Sequence, residues 1–317
     1  MPTWLNDDMN APDSTTWVPM SFGMKMVTLL AVGIPFAGFI FAVIYLWGWG
    51  LDWLHLSLFL AMVLLTSLGV TIGYHRLFTH RAFETIAPVK FILSVLGSMA
   101  LEGPLIKWCA THRHHHQHSD SENDPHTPHH HGGGFGGFLA GLWHSHMGWV
   151  FAPEIPNLSR YVKDLLADRV VRFVSVSFPV WLLLGLAIPT VIAGWITMSW
   201  SGALLGLIWG GLARIFIVHH LTWSINSICH IWGARPYRSH DQSRNNIIMG
   251  VIGFGEGWHN NHHAFPTSAR HGLAWWQIDI SWWIIRLMEI FGLAWKVRVP
   301  GERQLASKRA HGEVSMS

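Results

Sequence analysis

The sequence is poor in charge, and this argues against an ordinary soluble domain. Only 12% of its 317 residues are Asp, Glu, Lys or Arg, whereas soluble domains average roughly 25%. Half of the residues are apolar. Because the Lys and Arg residues are scattered and the net charge is only +3, no basic stripe for a nucleic acid is predicted. The composition indicates a membrane protein.

Cysteines are few, and the N-terminus does not look like a leader. The two cysteines, Cys109 and Cys229, cannot build a disulfide framework, and we interpret them as small buried apolar residues rather than metal ligands. The acidic start MPTWLNDDMN has no basic region before a short apolar core, so no cleaved signal peptide is predicted. The first apolar span is expected to act as its own insertion signal.

Long apolar runs are what the sequence does contain. Four stretches approach or exceed the roughly 20 residues needed to cross a bilayer, at 25–47, 51–73, 173–196 and 201–223. Short turns join the first two and the last two, which predicts an all-α integral membrane fold with four transmembrane helices in two hairpins. A fifth stretch at 86–103 is shorter and contains Lys90 and Glu102, which favours an interfacial or re-entrant helix.

Lys and Arg are distributed unequally around these spans. The two hairpin turns contain none, whereas the segment between the hairpins contains several. By the positive-inside rule, both termini and the central segment are predicted to be cytoplasmic. This gives an N-terminal cytoplasmic segment (1–24), a main domain (25–299) and a flexible C-terminal tail (300–317). The glycine-rich stretch 132–137 is expected to be a flexible loop.

The 23 histidines carry the strongest functional signal. Eight of them fall into three groups, which are His75 and His80 in HRLFTH, His112, His115 and His116 in HRHHH, and His259, His262 and His263 in HNNHH. The second and third groups share the spacing i, i+3, i+4, which places three imidazoles on one helix face. His75 and His80 are five residues apart, roughly 140° around an ideal helix. A bent or unwound helix end is therefore predicted at the first group.

Eight converging imidazoles exceed the needs of one four-coordinate metal. Neutral imidazole suits Zn, Cu, Fe and Ni about equally, so the donor type alone leaves the metal open. The number of donors predicts two metals, each with open positions where oxygen or substrate can bind.

The three boxes, in the forms HRLFTH, HRHHH and GEGWHNNHHAFP, occur together with DPH at 124–126 and TWSINSICH at 222–230. In this order they resemble the membrane acyl-CoA desaturases of the delta-9 type, over about residues 25–299. The resemblance implies a cytoplasmic helical cap that holds two iron ions. It adds His230 to the eight box histidines as a ninth ligand and gives Asn226 a metal-bound water. His114 occupies the variable place of the second box and is left out of the ligand set.

The resemblance also implies the chemistry. O2 would serve as co-substrate, and a cis double bond would be introduced into a saturated acyl chain carried by CoA, a carrier protein or a lipid. The sequence lacks the HPGG motif of a fused cytochrome b5 module, so a separate donor such as a ferredoxin, rubredoxin or cytochrome b5-like protein is implied.

Four further residues are candidates for supporting roles. Asp124 and Glu256 could accept the outer N–H groups of ligating imidazoles. Phe59 and Val63 lie about 24 and about 18 Å along the second span from His75, and they are candidates for the closed end of an acyl tunnel if that span lines it as in the resembled family. A lipid-facing position is an equal alternative for either residue.

The other histidines have simpler interpretations. We interpret His118 and the run 129–131 as a polar solvated loop, and His219 and His220 as packing at a helix end. For His144 and His146, a structural hydrogen bond and proximity to the metals both remain open.

Two other functions remain open at this point. A related di-iron hydroxylase or ketolase acting on another lipid would have the same boxes and differ only in its product. A His-rich membrane metal transporter would need ionisable residues at mid-membrane, and the four spans nearly lack them.

Overall fold

The computed structural model describes residues 19–46, 48–152 and 158–310. Most of the predicted N-terminal segment 1–24 therefore lies outside the described residues, as do residues 311–317 of the predicted tail. Regular structure in the described part is almost entirely helical.

Four helices are long and apolar enough to cross a membrane, at Phe22–Tyr45, Trp53–Thr79, Phe178–Thr197 and Trp200–Ile228. They confirm the prediction of an all-α membrane fold with four spans. The second span continues beyond residue 73 because its winding changes from α-helix in Trp53–Leu68 to π-helix in Gly69–Thr79. The fourth span is α-helical in Trp200–Gly206 and Arg214–Ile228, with a π-helical segment at Leu207–Ala213 between them.

The third span begins at Phe178 rather than at residue 173. The preceding apolar residues belong to a separate short helix, Arg169–Val176, whose N-terminus is capped by the Asp168 carboxylate. Pro179 stands in the first turn of the third span, where a missing N–H leaves no helix hydrogen bond unmade.

The remaining elements are short. The shorter helices are Ala87–Met99, Leu105–His118, Gly134–His146, Lys163–Ala167, Arg169–Val176, Ile247–Ile252, His259–Ala264, Ile280–Ile290 and Glu302–Lys308, with 3-10 turns at Gly148–Phe151 and Leu158–Tyr161. Two strands, Glu84–Thr85 and Ala294–Trp295, pair antiparallel with Glu84 opposite Trp295. The helix Ala87–Met99 occupies the stretch expected to be interfacial or re-entrant, and Glu302–Lys308 lies within the predicted tail.

The expectation of a flexible loop at 132–137 is wrong for its last four residues, because a helix begins at Gly134. Glycine permits close approach here. A Cβ on Gly141 would lie 1.9 Å from the carbonyl oxygen of Pro128, and one on Gly137 would lie 2.2 Å from that of Gly132. These glycines therefore serve packing of the helix against the preceding loop.

The chain divides into two compact units, and the first comprises residues 1–70, 90–108 and 153–220. Within its described part, the first, second and third spans all pack on the segment Leu207–Ala213 of the fourth. The core there contains Ala42, Leu46, Ile208, Trp209 and Ala213. The fourth span is thus the central helix of this unit.

The second unit comprises residues 71–89, 109–152 and 221–317. It contains every histidine of the three boxes, together with His230. Cys229 packs in its core with Ile225 and Met249. Both cysteines are buried, which agrees with their interpretation as small core residues.

Candidate metal centre

The first histidine box lies on the π-helical end of the second span. The backbone N–H of His80 donates to the carbonyl of His75 at 3.1 Å, a hydrogen bond across five residues rather than the four of an α-helix. The two rings meet edge to face with centroids 4.8 Å apart. π-helical turns are rare and often occur at functional sites. Here the wider winding is the departure from an α-helix that the five-residue spacing required.

Five histidines from all three boxes converge, and we call them the five-histidine cluster: His75, His80, His112, His116 and His262. Their ligand nitrogens all lie within 4.8 Å of one another. The Nε2 atom of His262 is 3.0 Å from that of His75 and 2.9 Å from that of His116. The Nε2 atoms of His112 and His116 are 3.1 Å apart.

A second group, the four-histidine cluster, consists of His115, His230, His259 and His263. His230 follows directly after the fourth span, and its Nε2 lies 3.0 Å from that of His259. The ring of His263 stacks on the ring of His116 with centroids 4.4 Å apart, so the two clusters are neighbours. The nine histidines expected as ligands therefore lie together in the second unit.

The separations between ring nitrogens fit metal binding. Two ligands about 2.1 Å from one metal ion and at a right angle to each other lie about 3.0 Å apart, and the Nε2 pairs are separated by 2.9 to 3.1 Å. The buried Nε2 atoms of His80, His115 and His263 have no hydrogen-bond partner among the described residues. A buried polar atom left unpaired costs free energy, and a metal ion at these positions removes that cost.

Three aspartates lie behind the four-histidine cluster. Each places a carboxylate oxygen against the outer nitrogen of one ring, with Nδ1–Oδ distances of 2.9 Å for His115 and Asp124, 2.9 Å for His230 and Asp120, and 2.5 Å for His263 and Asp241. A carboxylate in this position holds the proton on Nδ1, directs Nε2 towards the metal and increases the basicity of the ligand.

Glu256 supports the five-histidine cluster in the same way. Its Oε2 lies 2.5 Å from Nδ1 of His75, and its Oε1 accepts hydrogen bonds from Arg76 at 3.0 and 3.2 Å. The Arg76 side chain is fully buried and also forms an ion pair with Asp279. The charge of Glu256 is therefore partly balanced by a guanidinium. Asp124 and Glu256, the two carboxylates expected from the sequence, both contact outer ring nitrogens.

Three residues of this region were not predicted from the sequence. Asp120 and Asp241 belong to no spacing pattern, and Asp120 is 110 residues from its partner His230. His271 is buried with its ring centroid 4.4 Å from that of His262, and its Nδ1 lies 3.5 Å from a Glu256 oxygen. The segment around His271 shows no box spacing, so the sequence offered no signal for it.

Burial keeps most of these imidazoles neutral. Desolvation, followed by repulsion from neighbouring rings, holds the pKa well below its usual value in six of them, which are His80, His112, His115, His116, His259 and His262. His230 differs: burial lowers the pKa of its ring, but the charges of Asp120, Asp124 and Asp241, together with the hydrogen bond to Asp120, outweigh this effect and raise the pKa. Metal binding requires neutral imidazole. The site is therefore largely deprotonated, and ready to bind, near neutral pH.

The other candidate residues belong to neither cluster. His114, in the variable place of the second box, packs on His118 with ring centroids 4.6 Å apart. Asn226 is half-buried in the helix Arg214–Ile228. In the first unit, Phe59 packs edge to face on Trp209 at 6.3 Å, and Val63 is buried.

Five of the remaining histidines make side-chain hydrogen bonds within the protein. Ring nitrogens of His130, His131 and His144 donate to the backbone carbonyls of Asp120, Thr127 and Pro125. His146 bonds the hydroxyl of Ser227 at 3.1 Å, and His219 donates to the carbonyl of Leu101 at 3.0 Å. These contacts give His144 and His146 structural roles.

Residues 51–288 match the family model described as fatty acid desaturase. The hex-5-enoyl-[acyl-carrier protein] acetylenase of Moorena producens (strain JHB) is 43% identical over 87% of this chain and 87% of its own length. The chloroplastic palmitoyl-monogalactosyldiacylglycerol delta-7 desaturase of Arabidopsis thaliana is 35% identical over 91% of this chain and 71% of its own. The sn-1 stearoyl-lipid 9-desaturase of Anabaena variabilis is 37% identical over 80% and 87%.

Proposed function

The chain belongs to the fatty acid desaturase family, and on this premise we propose that it is an O2-dependent acyl desaturase that introduces a cis double bond at C9 of a saturated acyl chain. The observation that carries the proposal is the convergence of nine histidines in two adjacent clusters. Their Nε2 separations of 2.9 to 3.1 Å are those of ligands sharing a metal ion.

The proposal places one iron in each cluster. Iron would supply the oxidising power needed to remove hydrogen from an unactivated methylene. The work of the chain's own residues is to hold the imidazoles in orientation through the four carboxylates behind them. Asn226 lies about one helical turn before His230 and is proposed to hold a water at the four-histidine cluster.

The electron balance of this reaction requires a partner. Reduction of one O2 to two waters takes four electrons and four protons. The two C–H bonds that break supply two of each, so an external donor must supply two electrons while solvent supplies two protons. A separate ferredoxin, rubredoxin or cytochrome b5-like protein is therefore part of the proposal.

Regiochemistry is proposed to follow from distance. A methylene offers no charge or polar group to recognise, so one carbon can be selected only by holding the chain at a fixed distance from an anchored head group. Apolar residues of the second span, among them Phe59 and Val63, are proposed to wall the tunnel. The head group, on CoA, a carrier protein or a lipid, would be held on the cytoplasmic side, where the proposal also places both termini and the metals.

Lipid analysis of a desaturase-deficient host expressing this chain tests the function. We expect cis-9 monoenes to appear at the expense of saturated chains, with double-bond position read by mass spectrometry of dimethyl disulfide adducts. The His262→Ala variant is the inactive control. A hydroxylated or oxidised lipid would identify the hydroxylase or ketolase instead, and metal uptake without any change in lipid would identify the transporter.

An acetylenase is the second candidate, because a relative 43% identical to this chain is named as one. Such an enzyme removes two hydrogens from an existing alkene. Feeding the same host a cis-monoenoic acid distinguishes the two reactions, since an acetylenase forms an alkyne while a C9 desaturase leaves an existing C9 double bond unchanged.

A further inference from the structure

A cavity of about 670 Å³ lies in the second unit beside the four-histidine cluster. It opens at the surface, since its lining includes the exposed side chains of Gln117, His130 and His240. The buried residues His230 and Asp241 also line it. The cavity therefore connects the protein surface with a proposed metal ligand.

The His230 side chain both borders the cavity and belongs to the four-histidine cluster. His230 borders the cavity, while its Nε2 lies 3.0 Å from that of His259 in the cluster. On the other side of the ring, Nδ1 lies 2.9 Å from Asp120, which also borders the cavity. Electron transfer slows steeply with distance, so a redox group seated at the mouth has a short path through this pair.

The mouth favours an acidic partner. Asp120 and Asp241 are the acidic residues of the lining, and both carboxylates are turned inward onto rings, those of His230 and His263. Arg244 lines the cavity, and the guanidinium of Arg235 donates to the backbone carbonyl of Asp241 and to the side chain of Gln242, two residues of the lining. Clustered positive charge speeds the approach of an acidic protein and orients it.

We propose that this cavity is the docking site of an acidic one-electron redox protein, which delivers the two external electrons of each turnover through Asp120 and His230. The inference rests on the proposed function, because that reaction is what creates the need for a donor. It assigns the donor to the face of the four-histidine cluster.

Charge changes at the mouth test the docking. The experiment uses the full-length, iron-loaded enzyme in lipid nanodiscs with a reduced plant-type [2Fe–2S] ferredoxin as the probe. We expect the double variant His130→Glu/His240→Glu to raise the KM for ferredoxin about tenfold at low salt and to weaken its salt dependence. His240→Lys should lower that KM. Arg303→Glu, at an exposed position outside the lining, is the matched control and should keep the original KM.

A small reductant separates this proposal from the proposed function. Dithionite with a viologen mediator needs no docking surface, so the ratio of ferredoxin-driven to dithionite-driven alkene should fall about tenfold in the double variant. Alkene formation with dithionite, together with an unchanged ferredoxin KM in the double variant, would overturn the docking site alone. A rise in the KM for the acyl substrate without one for ferredoxin would also overturn it, and would assign the cavity to the substrate head group. If neither ferredoxin nor dithionite gives the wild type any alkene, the proposed function itself is wrong.

Discussion

The two histidine clusters use the same donor atom but are supported differently. In the five-histidine cluster, Glu256 supports His75, and Arg76 partly balances the charge of that glutamate. In the four-histidine cluster, three of the four rings each have an aspartate of their own. The cluster with fewer ligands therefore has more negative charge close behind it.

This difference indicates two ways of holding a metal. A carboxylate on the outer N–H strengthens an imidazole as a donor. The four-histidine cluster therefore has fewer ligands, but three of them are strengthened in this way. Negative charge near a metal also favours its more oxidised state. We therefore expect the two proposed metals to differ in affinity and in reduction potential, which a count of histidines would not reveal.

The largest effect should come from removing a ligand at the centre of the arrangement. His262 lies about 3 Å by its Nε2 from both His75 and His116. The His262→Ala variant should lose metal from the five-histidine cluster, and turnover should fall by more than the roughly 100-fold seen when only a supporting residue is changed. Metal content per chain, by mass spectrometry, and product formation measure this. His114→Ala is the control and should keep both. Full activity in His262→Ala, or iron loss in His114→Ala, would show that the ligand set is wrong.

Changing one supporting carboxylate in each cluster tests whether the clusters are independent. Asp241→Asn should weaken one metal about 10- to 100-fold and Glu256→Gln should weaken the other, as read from two-phase release to a chelator. Glu122→Gln, an exposed acid of the loop between Asp120 and Asp124, should release neither. If both carboxylate variants released the same metal, the division into two clusters would be wrong.

Acid should destabilise the metal-free protein. The six imidazoles with lowered pKa stay neutral in the fold, whereas in the unfolded chain they protonate near pH 6.5. Below that pH the unfolded state binds more protons, so stability is lost as the pH falls from about 6.5 towards the folded pKa values. His230, with its raised pKa, opposes this trend, so the four-histidine cluster contributes less to it. Thermal melting of the metal-free protein between pH 8 and pH 5 measures the effect, and a constant midpoint would contradict it.

Asn226→Ala should lower turnover about 10-fold and leave the metal content almost unchanged. The reason is the proposed role of this side chain in holding water at an open coordination position rather than in binding the metal itself. Iron analysis and turnover, compared with His230→Ala, distinguish the two roles. A loss of iron as large as in His230→Ala would make Asn226 a ligand or a structural residue.

The smallest effect should come from outside both clusters. Phe59 lies in the first unit, so Phe59→Ala should leave metal content and double-bond position unchanged while shifting preference towards longer acyl chains. Competition between C16 and C18 substrates measures the shift. An unchanged product ratio in both Phe59→Ala and Val63→Trp would remove this helix face from the tunnel.

Predictions from the sequence were most accurate where the signal lies within one short segment of the chain. Apolar runs gave the four spans, and the i, i+3, i+4 spacing gave helix faces that the structure does bring together. Span ends were less accurate, because hydropathy does not register a change of winding. The second span continues past residue 73 to Thr79 although it gains polar residues, because these are buried with partners: His75 lies in the five-histidine cluster, and Arg76 pairs with Glu256 and Asp279.

The sequence did not predict contacts between residues that lie far apart in the chain. Asp120 meets His230 across 110 positions, and Asp241 meets His263 across 22. An isolated aspartate in a polar loop has the same sequence appearance whether it faces water or a ligand. Asp124 was found only because it belongs to the DPH motif, while Asp120 in the same loop has no motif to mark it.

The π-helical segment Gly69–Thr79 also limits how the length of this chain can vary. An ordinary α-helix accommodates an inserted residue by widening one turn, so that the helix on either side keeps its register. The turns of this segment are already wide. The segment therefore already contains the extra residue that such an insertion would add. One more residue between His75 and His80 would carry a ring out of the cluster, whereas one fewer would leave the two histidines four apart, a spacing that an α-helix keeps on one face. The HRLFTH segment should therefore tolerate changes of side chain between its histidines far better than an added residue.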